Sequence, residues 1–152
     1  MENPQQAQAA HDLAQKRIAA AKAGSERVLC LSPVTLVING KTYPGDKRFE
    51  HLTTLPSEIA GLTALQKLAL QDTQVAGIAP LAGLTALETL NLDSTQVADI
   101  APLAGLIALQ TLGLHDTQVA DIAPLAGLNS LQVLWLQNTQ VADIAPSPGW
   151  RS

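Results

Sequence analysis

One phrase of 22 residues recurs four times in this chain of 152 residues. The copies begin at Ile59, Leu81, Leu103 and Leu125, and together they extend to Pro146. Several columns of the phrase recur together in every copy, which chance richness in leucine does not produce. A period of this length is typical of a solenoid, in which each repeat is one coil that buries its apolar face only against the next coil.

Alternating residues at the centre of each repeat predict a short strand. In Leu90-Asn91-Leu92 the leucines point inward and Asn91 points outward. An Ile-Ala-Pro turn follows each strand. Proline suits the first position of a short helical turn, and Asp99 and Asp121 are placed to cap two of these turns. We therefore expect an α/β solenoid that is curved, with a parallel β-sheet on its concave face and short helical or 3-10 turns on its convex face.

With its spacing LxxLxLxxTxV, the phrase is identified as a leucine-rich repeat. The copy LAGLTALETLNLDSTQVADIAP resembles the 22-residue class of internalins. The segments RIAAAKAG, VLCLS and LTTLPSEIAGLTAL resemble the start of bacterial cytoplasmic repeat proteins, including the repeat domains of Roco-family GTPases. The internalin signal and cap and the GTPase domain are not found in the chain. The resemblance implies a curved solenoid that binds protein, and it names no ligand.

Threonine occupies the column where this family usually has asparagine. A hydroxyl both donates and accepts a hydrogen bond, but it reaches less far than an amide. We expect a ladder of threonines with about one hydrogen bond per coil. The column consists of Thr73, Thr95, Thr117 and Thr139.

Residues 1–25 differ in kind from the repeats. Their apolar residues recur at helical spacing and predict an amphipathic helix that ends near Gly24. This apolar stripe consists of Ala10, Leu13, Ala14, Ile18 and Ala21. We expect the helix to cap the first coil. The alternative, a helix that binds a membrane or a partner, is less favoured because alanine makes a shallow apolar face.

Residues 26–58 predict a divergent first repeat that carries an insertion at 37–52. Leu29-Cys30-Leu31 predicts its strand, with Cys30 facing outward as a semi-exposed thiol. Within the insertion, Asn39-Gly40 lies between β-formers and predicts a two-residue hairpin. The insertion is either a tolerated decoration or a secondary binding surface. That surface would consist of Lys41, Tyr43, Lys47, Arg48 and Phe49.

Outward-facing strand positions form columns on the concave face, and they vary between repeats while the leucines do not. The core therefore does not determine these residues, and we expect a partner to bind them. Trp135 is either a binding anchor or a ring that lies over Gly113 and shields its backbone. The candidate binding residues are Lys67, Gln71, Asn91, Asp93, Thr111, His115, Trp135 and Gln137.

Composition argues against several classes of protein. The net charge of −4 argues against a nucleic-acid binder, and the single cysteine excludes an internal disulfide and a cysteine-based zinc site. No apolar run approaches the roughly 20 residues of a membrane span. The N-terminus does not resemble a secretory signal, so we expect a cytoplasmic protein, with secretion as an effector left open.

We expect no catalysis at the concave face. His115 lies beside Asp93, but no nucleophile occupies a third matching position in that column. The other histidines, His11 and His51, are too scattered to indicate a metal site. We expect no catalytic residue, no metal and no cofactor.

These observations predict a non-catalytic scaffold that binds a protein partner. Residues 59–146 carry one basic and seven acidic side chains, which favours a basic partner. Two alternatives stay open. The chain is the recognition part of a larger enzyme, such as a Roco-like GTPase or a ligase effector, or it is a truncated array that self-associates through an uncapped C-terminal end.

After Pro146 the repeat requires Leu-Ala-Gly-Leu, but the chain continues as SPGWRS. Codons for Ser-Pro-Gly-Trp-Arg, read one base earlier, can encode Leu-Ala-Gly-Leu-Ala. We therefore expect residues 147–152 to form an irregular tail, produced by a frameshift or an altered end that truncates a longer array.

Overall fold

A computed structural model describes residues 3–142, so the expectations for 147–152 and for the C-terminal end lie outside the described residues. The chain begins with helix α1 (Pro4–Ala23). The strands are β1 (Val28–Cys30), β2 (Leu36–Ile38), β3 (Lys41–Tyr43), β4 (Lys67–Ala69), β5 (Thr89–Asn91), β6 (Thr111–Gly113) and β7 (Val133–Trp135). Short 3-10 helices span Lys47–His51, Ser57–Gly61, Ala79–Leu81, Ala101–Gly105 and Ala123–Leu125.

Five strands form one parallel sheet in the order β1-β4-β5-β6-β7. From β4 onward, each strand pairs with the strand of the next repeat, so that Leu68, Leu90 and Leu112 lie side by side. The leucine columns of the first three full repeats are buried and form one continuous core, against which the partly buried Leu131 and Leu136 of the last repeat pack. The predicted α/β solenoid, with a parallel sheet and 3-10 turns, is confirmed.

Turn residues act as the sequence predicts. Asp99 Oδ1 accepts a hydrogen bond from the backbone N–H of Ala101 at 2.9 Å, and Asp121 caps Ala123 at the same distance. Proline lies in the first turn of the 3-10 helices after β4, β5 and β6. These coils therefore turn back toward the next strand through proline-led turns, of which those after β5 and β6 are capped by aspartate.

Threonines at the ladder column bond within their own coil. Thr95 Oγ1 donates to the carbonyl of Leu92 at 2.7 Å, and the other three threonines repeat this contact. The expectation of one hydrogen bond per coil is confirmed, but the hydroxyls do not link neighbouring coils. The backbone provides that link, because the N–H of Gln96 donates to the carbonyl of Val75 in the preceding coil at 3.0 Å.

The residue before each ladder threonine has left-handed backbone geometry, which the sequence analysis did not anticipate. Asp72, Asp116 and Asn138 occupy this column with φ near +60°, and Ser94 occupies it in the second full repeat with φ of 56°. Asparagine and aspartate tolerate this region better than other residues with a side chain. Ser94 is therefore the least suitable residue in its column.

Replacing Ser94 with asparagine is expected to raise the free energy of unfolding by about 0.5 kcal/mol, because part of the left-handed penalty is relieved. The amide would also lie between the carboxylates of Asp72 and Asp116, as the Asn138 amide already bonds Asp116 at 2.8 Å. Urea denaturation measures the change. Ser94→Asp is the matched control. If at low salt Ser94→Asp raised the free energy of unfolding as much as Ser94→Asn does, the proposed role of the amide would be contradicted.

Helix α1 covers the first coil of the sheet. The side chains of Ala10, Ala14, Ile18 and Ala21 are buried, as their spacing predicts. Gly24 ends the helix, and Asn3 caps its start by accepting from the N–H of Gln5 at 2.9 Å. The alternative of a helix whose apolar stripe is free to bind a membrane is therefore wrong for this stripe.

The predicted hairpin is present as strands β2 and β3, which pair antiparallel around Asn39-Gly40. Both turn residues have positive φ, 53° and 81°, as a type I′ turn requires. The expectation of a semi-exposed thiol at Cys30 is wrong. Cys30 occupies the predicted outward column beside Ala69, but the chain leading into the hairpin folds over it and brings the carbonyl of Val34 within 3.3 Å of Sγ.

Candidate functional site

Outward strand positions meet on the concave face as the repeat predicts. Asn91 lies beside Gly113, which lies beside Trp135. The ladder continues past the ends of the strands, since the N–H of Ser94 donates to the carbonyl of His115 at 2.7 Å. The predicted residues therefore form one surface of adjacent columns. The first column is Lys67, Thr89, Thr111 and Val133; the second is Ala69, Asn91, Gly113 and Trp135; the third is Gln71, Asp93, His115 and Gln137.

Trp135 is 53% exposed on this face. The space above its neighbour Gly113 is filled by other side chains, because a Cβ at Gly113 would lie 2.7 Å from Asp93 Oδ1 and 3.0 Å from Asn91 Oδ1. A side chain at position 113 would therefore displace the Asp93 carboxylate. Glycine here makes room for Asp93 and Asn91, and more than half of the tryptophan remains open to solvent.

A chain of side-chain to backbone contacts holds the centre of the face. Asn91 Oδ1 accepts from the N–H of Asp93 at 2.9 Å, and Asp93 Oδ1 accepts from the N–H of His115 in the next coil at 2.8 Å. The imidazole of His115 does not pair with the Asp93 carboxylate. Its Nε2 lies 3.0 Å from Asp116 Oδ2. The histidine and aspartate that adjoin in the sequence columns are thus joined through the backbone, which is a structural contact and not a catalytic pair.

Burial raises the pKa of Asp93 above its ordinary value. The hydrogen bond from His115 lowers this pKa, whereas the charges of Asp116 and Asp72 raise it further. We call Asp72, Asp93 and Asp116 the acidic rim. These carboxylates follow three successive strands of the sheet. The rim is a line of negative charge that the ladder pattern alone did not reveal.

Two side-chain atoms on this face lack hydrogen-bond partners among the described residues. They are Gln71 Oε1 and His115 Nδ1, and both are buried. With Nε2 directed at Asp116, Nδ1 of a neutral imidazole is an acceptor. Because both atoms are buried, neither presents an acceptor at the surface of the face.

Gln71 was predicted to be available to a partner, but it is only 9% exposed. The chain after β1 covers this end of the third column, because Ser32 Oγ donates to the carbonyl of Gln71 at 2.8 Å. Gln71 is therefore largely covered, and little of its side chain is open to a partner. The rest of the predicted concave set is half-buried or exposed and stays a prediction as a binding surface.

Residues of the insertion divide between surface and core. Lys41 lies 3.5 Å from Glu26 and 5.1 Å from the centre of the Tyr43 ring. Lys47 is exposed. Phe49 was expected on the same secondary surface, but it is fully buried. It packs under helix α1, where the guanidinium of Arg17 lies 5.0 Å from its ring centre.

Arg48, the other predicted residue of the insertion, is paired within its own turn. Its guanidinium lies 2.7 Å from Asp46 and holds the pKa of that carboxyl at about 2. Asp46 also accepts from the N–H of Arg48 and so caps the 3-10 helix at Lys47–His51. Arg48 thus has a structural role whether or not a partner binds here.

Within residues 3–142, no group of three or more His, Cys, Asp or Glu side chains is arranged to hold a metal ion. No helix in that range combines the length and apolar character needed to cross a membrane.

Replacing Asp93 with asparagine is expected to stabilise the protein at pH 7. The folded state raises the pKa of Asp93, so its ionised form opposes folding above the ordinary value of 3.8, and this penalty disappears when the group is protonated. Asparagine keeps the acceptor for His115. We expect Tm to rise by about 1–3 °C at pH 7 and the difference to shrink toward pH 3.

Asp46→Asn is the control of opposite sign. The pKa of Asp46 is lowered, so its ionised form stabilises the folded state above 3.8, and that contribution is lost as pH falls through about 2. This variant should be less stable than wild type at pH 7. Thermal unfolding between pH 3 and pH 7 tests both variants. If both substitutions changed Tm in the same direction at pH 7, the opposite pKa shifts assigned to Asp93 and Asp46 would be contradicted.

Known proteins share this pattern of sequence and fold. The family model described as Leucine Rich repeats (2 copies) matches residues 63–105 and 107–149, which is more than half of the chain. No curated protein matches the chain in sequence.

Three solved structures show the same architecture. An internalin (inlF) from Listeria monocytogenes superposes with a TM-score of 0.64 at 23% identity, over 89% of this chain and 45% of its own. The internalin inlC2 of the same organism superposes with a TM-score of 0.50 at 23% identity, over 91% of this chain and 87% of its own. The plant peptide hormone receptor RGFR1, in complex with RGF2, superposes with a TM-score of 0.54 at 22% identity, over 70% of this chain and 17% of the receptor chain. The chain spans less than half of the length of inlF, and at these identities the likeness shows the fold alone.

Proposed function

Because this chain belongs to the leucine-rich repeat family, we propose that it is a non-catalytic scaffold that binds a protein partner on its concave face. Proteins of this family commonly mediate protein–protein interaction. The observation that carries the proposal is the exposed Trp135 at one end of a face whose centre, at Asn91, Asp93 and His115, is held in place by hydrogen bonds. Exposed aromatic side chains are the residues on which interfaces most often depend.

Charge supports a basic partner. The acidic rim follows three successive strands, and the repeats carry seven acidic side chains against Lys67 alone. Long-range attraction of this kind speeds association more than it tightens binding. The half-buried carboxylate of Asp93 supports the same assignment, because an ionised group that opposes folding gains stabilisation when a cation covers it.

A second proposal follows from the lengths of the structural neighbours. The chain spans 45% of the inlF internalin and 17% of the plant receptor, but 87% of inlC2. The two longer neighbours favour a recognition module that acts beside other domains. A cytoplasmic location and a companion enzyme remain part of this second proposal. Comparison of neighbouring reading frames in the gene tests it.

Replacing Trp135 with alanine is expected to weaken partner binding about 30-fold, because a tryptophan that anchors an interface contributes on the order of 2 kcal/mol. The partner is first captured from host lysate with the wild-type chain and identified, and its affinity is then measured by titration. Ile107→Ala is the matched control, since Ile107 is 65% exposed but lies outside the sheet, between Leu106 and the next strand.

The control should change affinity less than twofold. Equal affinity of wild type and Trp135→Ala for the purified partner would show that the concave face is the wrong surface. A loss with Ile107→Ala alone would place the interface at the loop between the 3-10 helix Ala101–Gly105 and β6.

A further inference from the structure

Strand β7 is the last described strand of the parallel sheet, and none of the described residues pairs with its outer edge. Alternate residues of a strand inside such a sheet direct their backbone groups to opposite neighbours. The N–H of Val133 donates to the carbonyl of Gln110 at 3.0 Å. The carbonyl of Trp135 accepts from the N–H of Leu114 at 2.9 Å, so both β7 residues face β6. Leu134, between them, therefore directs its N–H and its carbonyl at the outer edge.

The coil that carries β7 also leaves part of its apolar core open. We call residues 125–142 the end coil. Its side chains Leu131, Leu136 and Val141 pack against the core but are only partly buried. The residues in the same columns one repeat earlier are fully buried; they are Leu109, Leu114 and Val119. An open strand edge beside partly covered aliphatic side chains is a template for another strand.

The chemistry of the end coil favours a second copy of this chain as the occupant. The end coil carries no charged side chain, whereas each preceding repeat carries at least one carboxylate. Two copies with a net charge of −4 each therefore meet here without direct repulsion between like charges. Most of the exposed polar side chains are amides, which donate and accept and so are complementary to their own copies. These amides include Asn129, Gln132, Gln137 and Gln140.

The opposite edge of the sheet, at β1, does not offer the same site. Cys30 faces away from β4, because the next residue, Leu31, donates its N–H to the carbonyl of Ala69. Helix α1 covers the first coil, and its Arg17 donates to the outward carbonyl of Cys30 at 3.0 Å. A second copy cannot add its β7 to this edge without displacing the helix. Association through open edges therefore joins β7 to β7, which gives a closed two-fold pair and not a growing filament.

We propose that two copies of this chain associate through β7, which pairs antiparallel with β7 of the second copy about Leu134 and joins the two sheets into one. Leu134 exchanges both of its backbone hydrogen bonds with the same residue of the second copy. The partly buried aliphatic side chains of the two end coils cover one another. Val133 of one copy lies opposite Trp135 of the other, and an aromatic residue opposite a β-branched residue is a favourable cross-strand pair. The two concave faces then lie on the same side of the joined sheet.

Sedimentation equilibrium of the full chain tests the association directly. The average mass should rise from that of one chain toward that of two between about 1 and 100 µM, the range expected for a small interface. It should not exceed two chains, because helix α1 covers the other end. A monomer at every concentration would show that the edge has a different occupant, and a mass beyond the dimer would show open assembly. Either result would overturn the inference.

Amide exchange places the contact on the strand. The N–H of Leu134 faces the outer edge, so its exchange should slow at least about threefold as the chain associates. Leu112, one strand inward, is the control, since the same alternation directs its N–H at β7 within one copy. Its exchange should change much less. A dimer without selective slowing at Leu134 would have its interface elsewhere, contrary to the inference.

Opposite charges at position 133 test the two-fold arrangement. Val133→Lys and Val133→Glu each place like charges at diagonal positions of the paired strands, about 7–8 Å apart, where they repel at low salt. The column accepts lysine, because Lys67 occupies it three coils earlier. Each variant alone should associate at least about tenfold more weakly than wild type. An equimolar mixture of the two should recover the dimer.

Thr89→Lys is the matched control, because Thr89 lies in the same column two strands away from the edge. It should associate as wild type does, and circular dichroism checks that every variant folds. Full association of either charged variant alone, or no recovery in the mixture, would contradict the two-fold pairing. These measurements contain no partner, whereas the proposed function is tested by the affinity of Trp135→Ala for its partner at concentrations where the chain is monomeric. Failure of one therefore leaves the other standing.

Discussion

Replacing Leu90 with alanine should lower the free energy of unfolding by about 3 kcal/mol, and Tm by roughly 6–12 °C. Leu90 is fully buried at the centre of β5. It lies between Leu68 and Leu112 of the neighbouring coils, so both sides of the resulting cavity are formed by strands fixed in register. Such a site collapses poorly, and the cost then includes the cavity as well as the lost burial.

Thr89→Ala is the matched control, since Thr89 is on the same strand and faces outward. It should cost less than about 0.5 kcal/mol. Urea denaturation gives both values. Because each repeat is stabilised mainly by its neighbours, amide exchange in Leu90→Ala should also accelerate in β4 and β6. A loss below about 1 kcal/mol would show that the coils repack independently, contrary to a shared core.

Strict periodicity explains why the repeats could be predicted from sequence. Once residues 22 positions apart lie side by side, the inward and outward alternation of one strand determines every other strand. Leu68, Leu90 and Leu112 share a column for this reason, and so do Asn91 and Gly113. The caps at Asp99 and Asp121 could be predicted equally well, because each depends only on a contact with a residue two positions away. Local rules repeated at a fixed spacing need no knowledge of distant contacts.

The predictions that failed concern residues whose burial depends on long-range contacts that occur only once in the chain. Cys30 and Gln71 were expected to be open because their columns face outward, but the chain at Ser32–Val34 folds over them, and no repeat of that segment exists to reveal it. Phe49 was assigned to a surface because it belongs to an insertion. Its burial depends on helix α1, which is distant in sequence. Sequence spacing predicts which column a residue joins, and it does not predict what covers that column.

The left-handed column and the acidic rim are an intermediate case. Asp93 of the acidic rim lies one position before Ser94 of the left-handed column. The residues of that column were visible in the repeat as Asp, Ser, Asp and Asn before each threonine. Recognising their meaning required the backbone geometry, since φ is positive at each of these positions. The same residue types would also suit a solvated turn. The structure distinguishes the two readings, because Asp72 and Asp116 lie close enough to Asp93 to raise its pKa.

Arg17→Ala should destabilise the protein by about 2 kcal/mol, the second largest effect that we expect. One guanidinium nitrogen donates both to the Cys30 carbonyl at the edge of the sheet and to the Pro44 carbonyl beyond the hairpin. The guanidinium also lies over the Phe49 ring. A single side chain therefore joins helix, edge strand and insertion. Its removal leaves a half-buried carbonyl without its donor, and such loss costs about 1–3 kcal/mol.

Arg17→Lys should recover part of this loss. An ammonium is a compact point donor, whereas the planar guanidinium also stacks on the ring. Lys16→Ala is the control, because Lys16 is exposed on the same helix turn and should change stability by less than about 0.5 kcal/mol. Thermal and urea unfolding measure all three variants. If Arg17→Ala were as stable as Lys16→Ala, the hairpin would be held by its own turn and by Phe49 alone.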